Sequence, residues 1–538
     1  MGGTLDPRGA EVISMWRAWS VALVPLAFLL LVQLAPALRL LQEAWAGSEP
    51  VLSALWAPWL DPYLRWRMVW SLLQASLTCV AALLLGLPVA WVLARFEFPG
   101  RSLVLRALML PFVVPTLVAA MGVLALLGPQ GLLAQMGGPD LQGTPWLLLY
   151  GNLFFNLCVL VRAGTDALAQ VSAARMAAAR SLGATPWRAF WRIEWPAIAP
   201  WLMSALCLVF LYCFAGFGLA LVLGGQAYAT AEVEIYTLVA YELQLGQAGV
   251  LSLWMMALTL LAALGYAAIE RNLATPARAD CLARRRPKGV WQWLAVAIAL
   301  LVLGLFCAAP LLAIVWKAFM SGAPTAEGSA WRLLLEDDTL LALWNTLRFS
   351  VSAVLLATLL GLAHAFAARR SLLLRTLVFL PFVVSPVMVA FGLLLLYPSW
   401  SASAGLLIAA YALLAYPFVA KSLASALDSL PAHYLDAARS LGASPWRAFW
   451  RVTFPLLRPA LRRGMAFAGA TAVGEFAVTL FLSRPEWATL TTLIYQRLGR
   501  PGAANLDAAM LLSCMLMLLA LAAFALIEWP TPQEETHA

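Results

Sequence analysis

Charge is scarce in this chain. Asp, Glu, Lys and Arg make up only 11% of its 538 residues, against 63% hydrophobic residues. A soluble chain of this length needs far more charge to cover its surface, so the shortage points to a polytopic membrane protein. Lysine is scarcer still: Lys288, Lys317 and Lys421 are the whole supply, and none follows a glycine-rich loop with Ser or Thr after it. With no GxxxxGK[ST] loop, the chain lacks the usual cradle for ATP phosphates, and energy for any ATP-driven process must come from another subunit. Histidine is limited to His364, His433 and His537, scattered with no metal or catalytic constellation around them. The cysteines form no CxxC pair, and six of them (Cys79, Cys158, Cys207, Cys213, Cys307, Cys514) lie inside apolar runs. That pattern supports neither a zinc site nor a disulfide framework and reads as small buried residues. No catalytic, metal or cofactor site is expected. The net charge of +9 on its own suggests nucleic acid, but most of the arginines fall in short loops beside apolar runs.

What the chain has in abundance is apolar stretches of spanning length, about 20 residues each. Twelve candidates are centred near residues 30, 82, 117, 158, 210, 260, 304, 356, 386, 415, 469 and 516. The first, roughly 20–40, follows Arg8 and Arg17. It exceeds the apolar core of a secretory signal and is expected to be a retained anchor. Placing the N-terminus in the cytoplasm puts 26 basic residues inside and 9 outside, the bias that orients membrane proteins. Both termini are then expected to be cytoplasmic, in a multi-pass membrane protein.

The chain also writes one polar segment twice. Residues 178–192 read AARSLGATPWRAFWR and residues 437–451 read AARSLGASPWRAFWR, differing only at Thr185 and Ser444 and offset by 259 positions. Beyond this segment, LPFVVP at 110–115 recurs as LPFVVSP at 380–386, and 71–87 resembles 346–362. IYTL at 235–238 lines up with IYQRL at 494–498 at the same offset of 259. A repeat of this size means two equivalent halves. With six spans in each, both insert the same way up as parallel repeats. The expected architecture is all-α, about 12 transmembrane helices in two pseudo-symmetric six-helix halves. They are residues 1–269 and 290–538, joined by a basic cytoplasmic linker, 270–289.

The repeated loop has readable local chemistry. Gly183 and Gly442 supply the left-handed residue that stops a helix. Thr185 and Ser444 sit where an N-cap hydroxyl belongs, with Pro186 and Pro445 at the first helical position. A short helix follows with Trp187, Phe190 and Trp191 on one face (Trp446, Phe449 and Trp450 in the second copy) beside Arg188 and Arg192. Pro196 and Pro455 are expected to end the segment. An aromatic and Arg-bearing cytoplasmic helix suits either the lipid interface or a cleft in a soluble partner, where such residues are common anchors. Two near-identical copies favour the partner, in two copies.

At these residues the chain resembles the permeases of ABC importers, whose EAA loop has a short side chain or acid, two alanines, a glycine and a terminal proline. Here it runs Ala177, Ala178, Ala179, Gly183 and Pro196 in loop 177–196, and Asp436, Ala437, Ala438, Gly442 and Pro455 in loop 436–455. The first copy departs from the pattern by having Ala177 in place of the acid. The resemblance implies a type I importer permease, not an enzyme, that moves cargo by alternating access. It also implies that each loop couples to one of two ATPase subunits, which bind ATP-Mg, and that a periplasmic binding protein delivers the cargo. CFAGFGLALVLGG (213–225) and EVEIYTLVAY (232–241) resemble the permeases of thiamine importers, implying thiamine and its phosphates. Fused ferric-iron and aminoethylphosphonate permeases have similar halves and are the alternatives. From another class stands an ion-coupled secondary transporter, disfavoured because Glu475 is nearly alone as an intramembrane titratable group. Glu475 and its neighbour Phe476, in GATAVGEFAVTLFL, are candidates for the transport path, against a structural hydrogen bond to a neighbouring helix. For a cationic cargo, Glu232, Glu234 and Tyr236 are further path candidates, with Tyr241 and Glu242. The plain alternative for all five is an acidic outside loop.

Overall fold

The computed structural model describes residues 21–45, 51–271, 283–321 and 330–528, apart from 370, 379, 383, 401, 402 and 483. Among these, regular structure is helical, with one isolated bridge between Phe96 and Arg285. In the first half the principal helices are α1 (Val21–Ala44), α2 (Pro62–Arg95), α3 (Thr116–Leu127), α4 (Pro145–Ala169) and α5 (Ala173–Ser181). They continue with α6 (Pro186–Phe214), α7 (Gly218–Leu223), α8 (Ala231–Ala240) and α9 (Leu245–Arg271). The second half contains α10 (Val290–Met320), α11 (Asp337–Ala368), α12 (Pro386–Leu396), α13 (Ala404–Ser429) and α14 (Ala432–Ser440). It ends with α15 (445–473), α16 (Ala477–Leu482), α17 (Leu490–Leu498) and α18 (Ala503–Glu528).

Ten helices of the described residues are long and apolar enough to cross a membrane, against the twelve expected. Two of the expected spans account for the difference. Near 386 the chain is helical only over the 11 residues of α12. Near 469 the helix is long enough, but its middle carries Arg458, Arg462 and Arg463. Most of the expected linker, residues 272–282, lies outside the described residues.

The helices gather into two compact units that do not follow the chain halves. One holds Met1–Gln42, Leu333–Gln496 and Met515–Ala538; the other holds Glu43–Arg332 and Arg497–Cys514. Thus α1 packs among second-half helices and α10 among first-half helices. The packing is the same in both units. On α3, a Cβ at Gly122 would stand 2.7 Å from the Pro310 carbonyl oxygen of α10. On α12, a Cβ at Gly392 would stand 2.8 Å from the Pro36 carbonyl oxygen of α1. Glycine is required at both places because the helix backbones touch, the small-residue packing that replaces the hydrophobic drive between helices in lipid. Each guest helix is also tied by polar contacts. Tyr150 donates to the Leu305 carbonyl at 2.5 Å in one unit, and Tyr397 donates to the Leu31 carbonyl at 3.1 Å in the other. The six cysteines in apolar runs are free thiols, and Cys158 and Cys307 bring their sulfurs within 3.1 Å.

Candidate functional site

The two repeated loops fold alike. In the first, α5 starts with Ser172 accepting from the Arg175 amide and stops at Gly183, whose φ of +76° is left-handed. The Gly183 amide donates to the Arg180 carbonyl at 3.0 Å and the Ala184 amide to the Ala179 carbonyl at 3.0 Å, which satisfies the last carbonyls of the helix. Thr185 then accepts from the Arg188 amide at 3.4 Å and caps the next helix, with Pro186 at its first position. The second loop repeats this with Gly442 at φ +78°, the Ala443 amide on the Ala438 carbonyl at 3.0 Å, and Ser444 accepting from Arg447 at 3.4 Å. The expected caps are present in both copies.

One expectation fails at the far end. Pro196 and Pro455 do not end the segment; the helix runs through them into the next span. A single wide turn makes this possible: the Trp195 amide donates to the Phe190 carbonyl, five residues back, and the Phe454 amide to the Phe449 carbonyl. At the start of the helix stretch that follows, the proline needs no amide hydrogen, so helix and proline coexist.

The aromatic side chains form one surface. Trp187 and Trp446 stand 69% and 70% exposed, with ring centroids 5.6 Å from Trp191 and from Trp450 respectively. Phe190 lies 5.4 Å from Trp191, and Phe449 lies 5.3 Å from Trp450; both phenylalanines are half-buried. Arg188, Arg192, Arg447 and Arg451 are exposed beside them, while Ala189 and Ala448 anchor the helix inward. Ala178, Ala179, Ala437 and Ala438 lie on the last turns of α5 and α14. The most exposed apolar residues of the loops are Leu182 and Leu441, 88% each. The recurrence of this leucine beside a stopping glycine is the signal the sequence carries for it.

The loops differ beneath this surface. Glu194, buried at the base of the first, pairs with largely buried Arg95 of α2 at 2.8 Å. The second copy has buried Thr453 at that place. Asp436 meets Arg439 at 4.0 Å on an exposed surface, a pair the first copy lacks because Ala177 replaces the acid.

Glu475 lies in the break between α15 and α16. Its Oε1 accepts from the Val478 amide at 3.0 Å, capping α16, and its carbonyl accepts from the Thr491 hydroxyl at 3.0 Å and from Tyr411 at 3.4 Å. Tyr411 and Thr479 share a further hydrogen bond. The first half breaks at the same place, around Gly216, and surrounds it with neutral polar groups that sequence reasoning missed. Gln74 donates to the Cys213 carbonyl at 2.8 Å, Asn152 donates to Gln74 at 2.7 Å, and Asn156 to the Asn152 carbonyl at 2.8 Å. Phe476 is buried 5.4 Å from Tyr495, and its counterpart Phe217 packs 5.6 Å from Tyr236.

Glu232, Glu234 and Tyr236 are all buried in α8. Glu234 accepts from Arg67 at 3.2 Å and from the Tyr63 hydroxyl at 3.0 Å. Its charge is therefore committed to a protein cation. Tyr241 and Glu242 lie past the end of α8 and are exposed.

Comparison with known proteins agrees with this architecture. The model of the binding-protein-dependent transport system inner membrane component matches twice, over residues 82–275 and 353–529. The thiamine transport system permease protein ThiP of Escherichia coli is 28% identical over 82% of this chain and 85% of its own length. ThiP of Salmonella typhimurium is 28% identical over 93% and 94%, and ThiP of Haemophilus influenzae 27% identical over 86% and 88%. A solved bacterial ABC transporter involved in alginate import covers 50% of this chain at 16% identity and a TM-score of 0.43, too slight to carry weight. With its family model matched in both halves, the chain belongs to the inner-membrane permease components of binding-protein-dependent ABC transport systems.

Proposed function

We propose that this permease imports thiamine and its phosphates, with two ATPase subunits docked on 177–192 and 436–451. The observation that supports the docking reading is the doubled loop: two identical cap geometries, each presenting an exposed Leu and Trp beside exposed arginines. Large apolar surface at the tip of a polar loop suits insertion into a protein cleft. ATP-Mg binds on the partner, and the chain itself is a transport component, not an enzyme. Binding of ATP draws the two ATPases together, and the coupling helices carry that movement to the spans. Both termini and both loops face the cytoplasm, following the basic bias of the connecting segments. A periplasmic binding protein delivers the cargo to the opposite face.

Thiamine as cargo rests on relatives that align along 82–93% of the chain. Uptake of labelled thiamine into proteoliposomes holding the permease, its ATPase and its binding protein tests the reading. ATP-dependent accumulation that unlabelled thiamine phosphate competes away is expected. Accumulation of ferric iron or aminoethylphosphonate with no thiamine uptake would overturn the cargo, and uptake driven by an ion gradient without ATP would overturn the class.

A further inference from the structure

The described end of the linker, residues 283–289, is fastened to the first half. The Glu97 amide donates to the Arg285 carbonyl at 3.0 Å and the Arg285 amide to the Arg95 carbonyl at 3.1 Å, a short bridge at the end of α2. The Arg285 guanidinium lies 5.4 Å from the centroid of the Phe96 ring, and Arg284 meets Glu97 at 3.5 Å. Glu97 also faces buried Arg101 at 3.9 Å, so one carboxylate serves two guanidinia. Burial first, and then the charge of Arg284, pulls the Arg101 guanidinium below its usual pKa. Arg162 and Asp166 act on it as well, but these two pair with each other at 3.0 Å. Arg285, Arg286 and Lys288 follow, all exposed. The backbone therefore holds like charges close together, at a Coulomb cost that a bound anion would relieve.

Gly289, at φ +91°, turns the chain from this strap into α10, and the Lys288 amide donates to Gln292 at 2.7 Å across the turn. An open apolar groove of about 580 Å³ starts here, lined by Gly289, Val290, Trp293, Leu294 and Ala297. Helix α10 is peripheral, with only 33% of its apolar stretch buried, so the groove opens toward lipid. We infer that the linker end and the first turns of α10 bind an anionic phospholipid. Its phosphate sits on Arg285, Arg286 and Lys288, and an acyl chain lies in the groove. Basic clusters directly beside a span are where acidic headgroups gather. A free phosphate would answer the charge and leave the groove empty, whereas a zwitterionic lipid would fill the groove and bring no net charge. The inference takes its leaflet, the cytoplasmic one, from the orientation given above.

Native mass spectrometry of the full chain, released from nanodiscs of mixed phosphatidylethanolamine and phosphatidylglycerol, counts the lipid that stays bound. Arg286→Ala with Lys288→Ala removes two exposed charges and leaves the backbone bridge in place. Retained phosphatidylglycerol is expected to fall about tenfold, and Trp293→Ala, which removes one wall of the groove, should lower it too. Arg462→Ala with Arg463→Ala takes the same charge from another exposed basic stretch, on α15, and should leave retention at the wild-type level. Wild-type retention in the linker-end variant overturns the inference. An equal loss in the α15 variant also overturns it, by reducing the effect to general charge attraction. Release of the lipid by inorganic phosphate would hand the cluster to a free anion instead. Trypsin should cut the linker end in sealed inside-out vesicles; cleavage only from the opposite face would overturn the orientation, a failure the lipid count distinguishes from failure of the site.

Discussion

The segment between the broken fifth span and the last helix is held by different chemistry in the two halves. In the first half Arg67, buried on α2, pairs with Glu234 and donates to the Gln226 carbonyl at 2.7 Å, while Trp66 and Trp70 donate to the carbonyls of Ala227 and Tyr228. In the second half the alignment of 71–87 with 346–362 places Ala342 where Arg67 stands, and the offset of 259 places Leu493 where Glu234 stands. There a single amide takes over: Asn345 donates to the carbonyls of Glu486 and Ala488 at 3.0 and 2.8 Å. One anchor is common to both, since Ser71 accepts from the Ala231 amide at 2.8 Å and Thr346 from the Leu490 amide at 3.0 Å. The base of the first repeated loop repeats the lesson, with the largely buried Arg95–Glu194 pair where the second copy has a plain Thr453. The duplicated frame is the backbone and its hydroxyl anchor; at these two places the ion pair stands in the first half only. A buried ion pair costs desolvation roughly equal to what it returns, so a neutral solution serves the same fold.

The surface that the halves share carries the largest expected effect. Gly183→Asp with Gly442→Asp forces a side chain into left-handed backbone at both loops and places charge on the docking face. Transport should fall on the order of 100-fold while the chain still inserts; undiminished uptake would end the coupling role. Next comes the half that carries charge. Arg67→Met leaves Glu234 buried without its cation and should cost about 3–5 kcal/mol of stability. Arg67→Ala combined with Glu234→Leu copies the second half and should recover most of that loss. A double variant melting as low as the single one would mean that the pair is essential rather than interchangeable.

Trp187→Ala and Trp446→Ala test the equivalence directly, each weakening ATPase binding by about 2 kcal/mol. Equal losses support two equivalent docking loops, and a loss confined to one breaks the symmetry. The smallest effect belongs to Asp436→Ala, because its ion pair with Arg439 is exposed. Binding should change by about 1 kcal/mol or less, so a larger drop would give the acid a direct role at the partner.

These contrasts explain what was legible in the sequence. Gly183, Thr185 and Pro186 act on neighbours within a few residues, so their caps could be read from order alone, and duplication marked them as functional. Apolar run length likewise located ten helices of spanning length, and failed where Arg458, Arg462 and Arg463 enter a helix or where α12 is short. The Arg67–Glu234 pair joins positions 167 apart, and nothing local in either segment announces it. Glu234 therefore read as an open acid, although the fold commits it to Arg67. The run through Pro196 was hidden for a different reason: a wide turn is a choice of hydrogen-bond partner, and composition does not encode it. The exchange of α1 and α10 between units was equally invisible, because Gly122 and Gly392 look like ordinary glycines in apolar runs until Pro310 and Pro36 lie against them.

Native mass spectrometry of the complex purified through this chain tests the central claim most directly. Two equivalent coupling loops predict two ATPase subunits for each permease chain, both lost together in the double glycine variant. A permease that purifies alone, or with a single ATPase, would contradict the account.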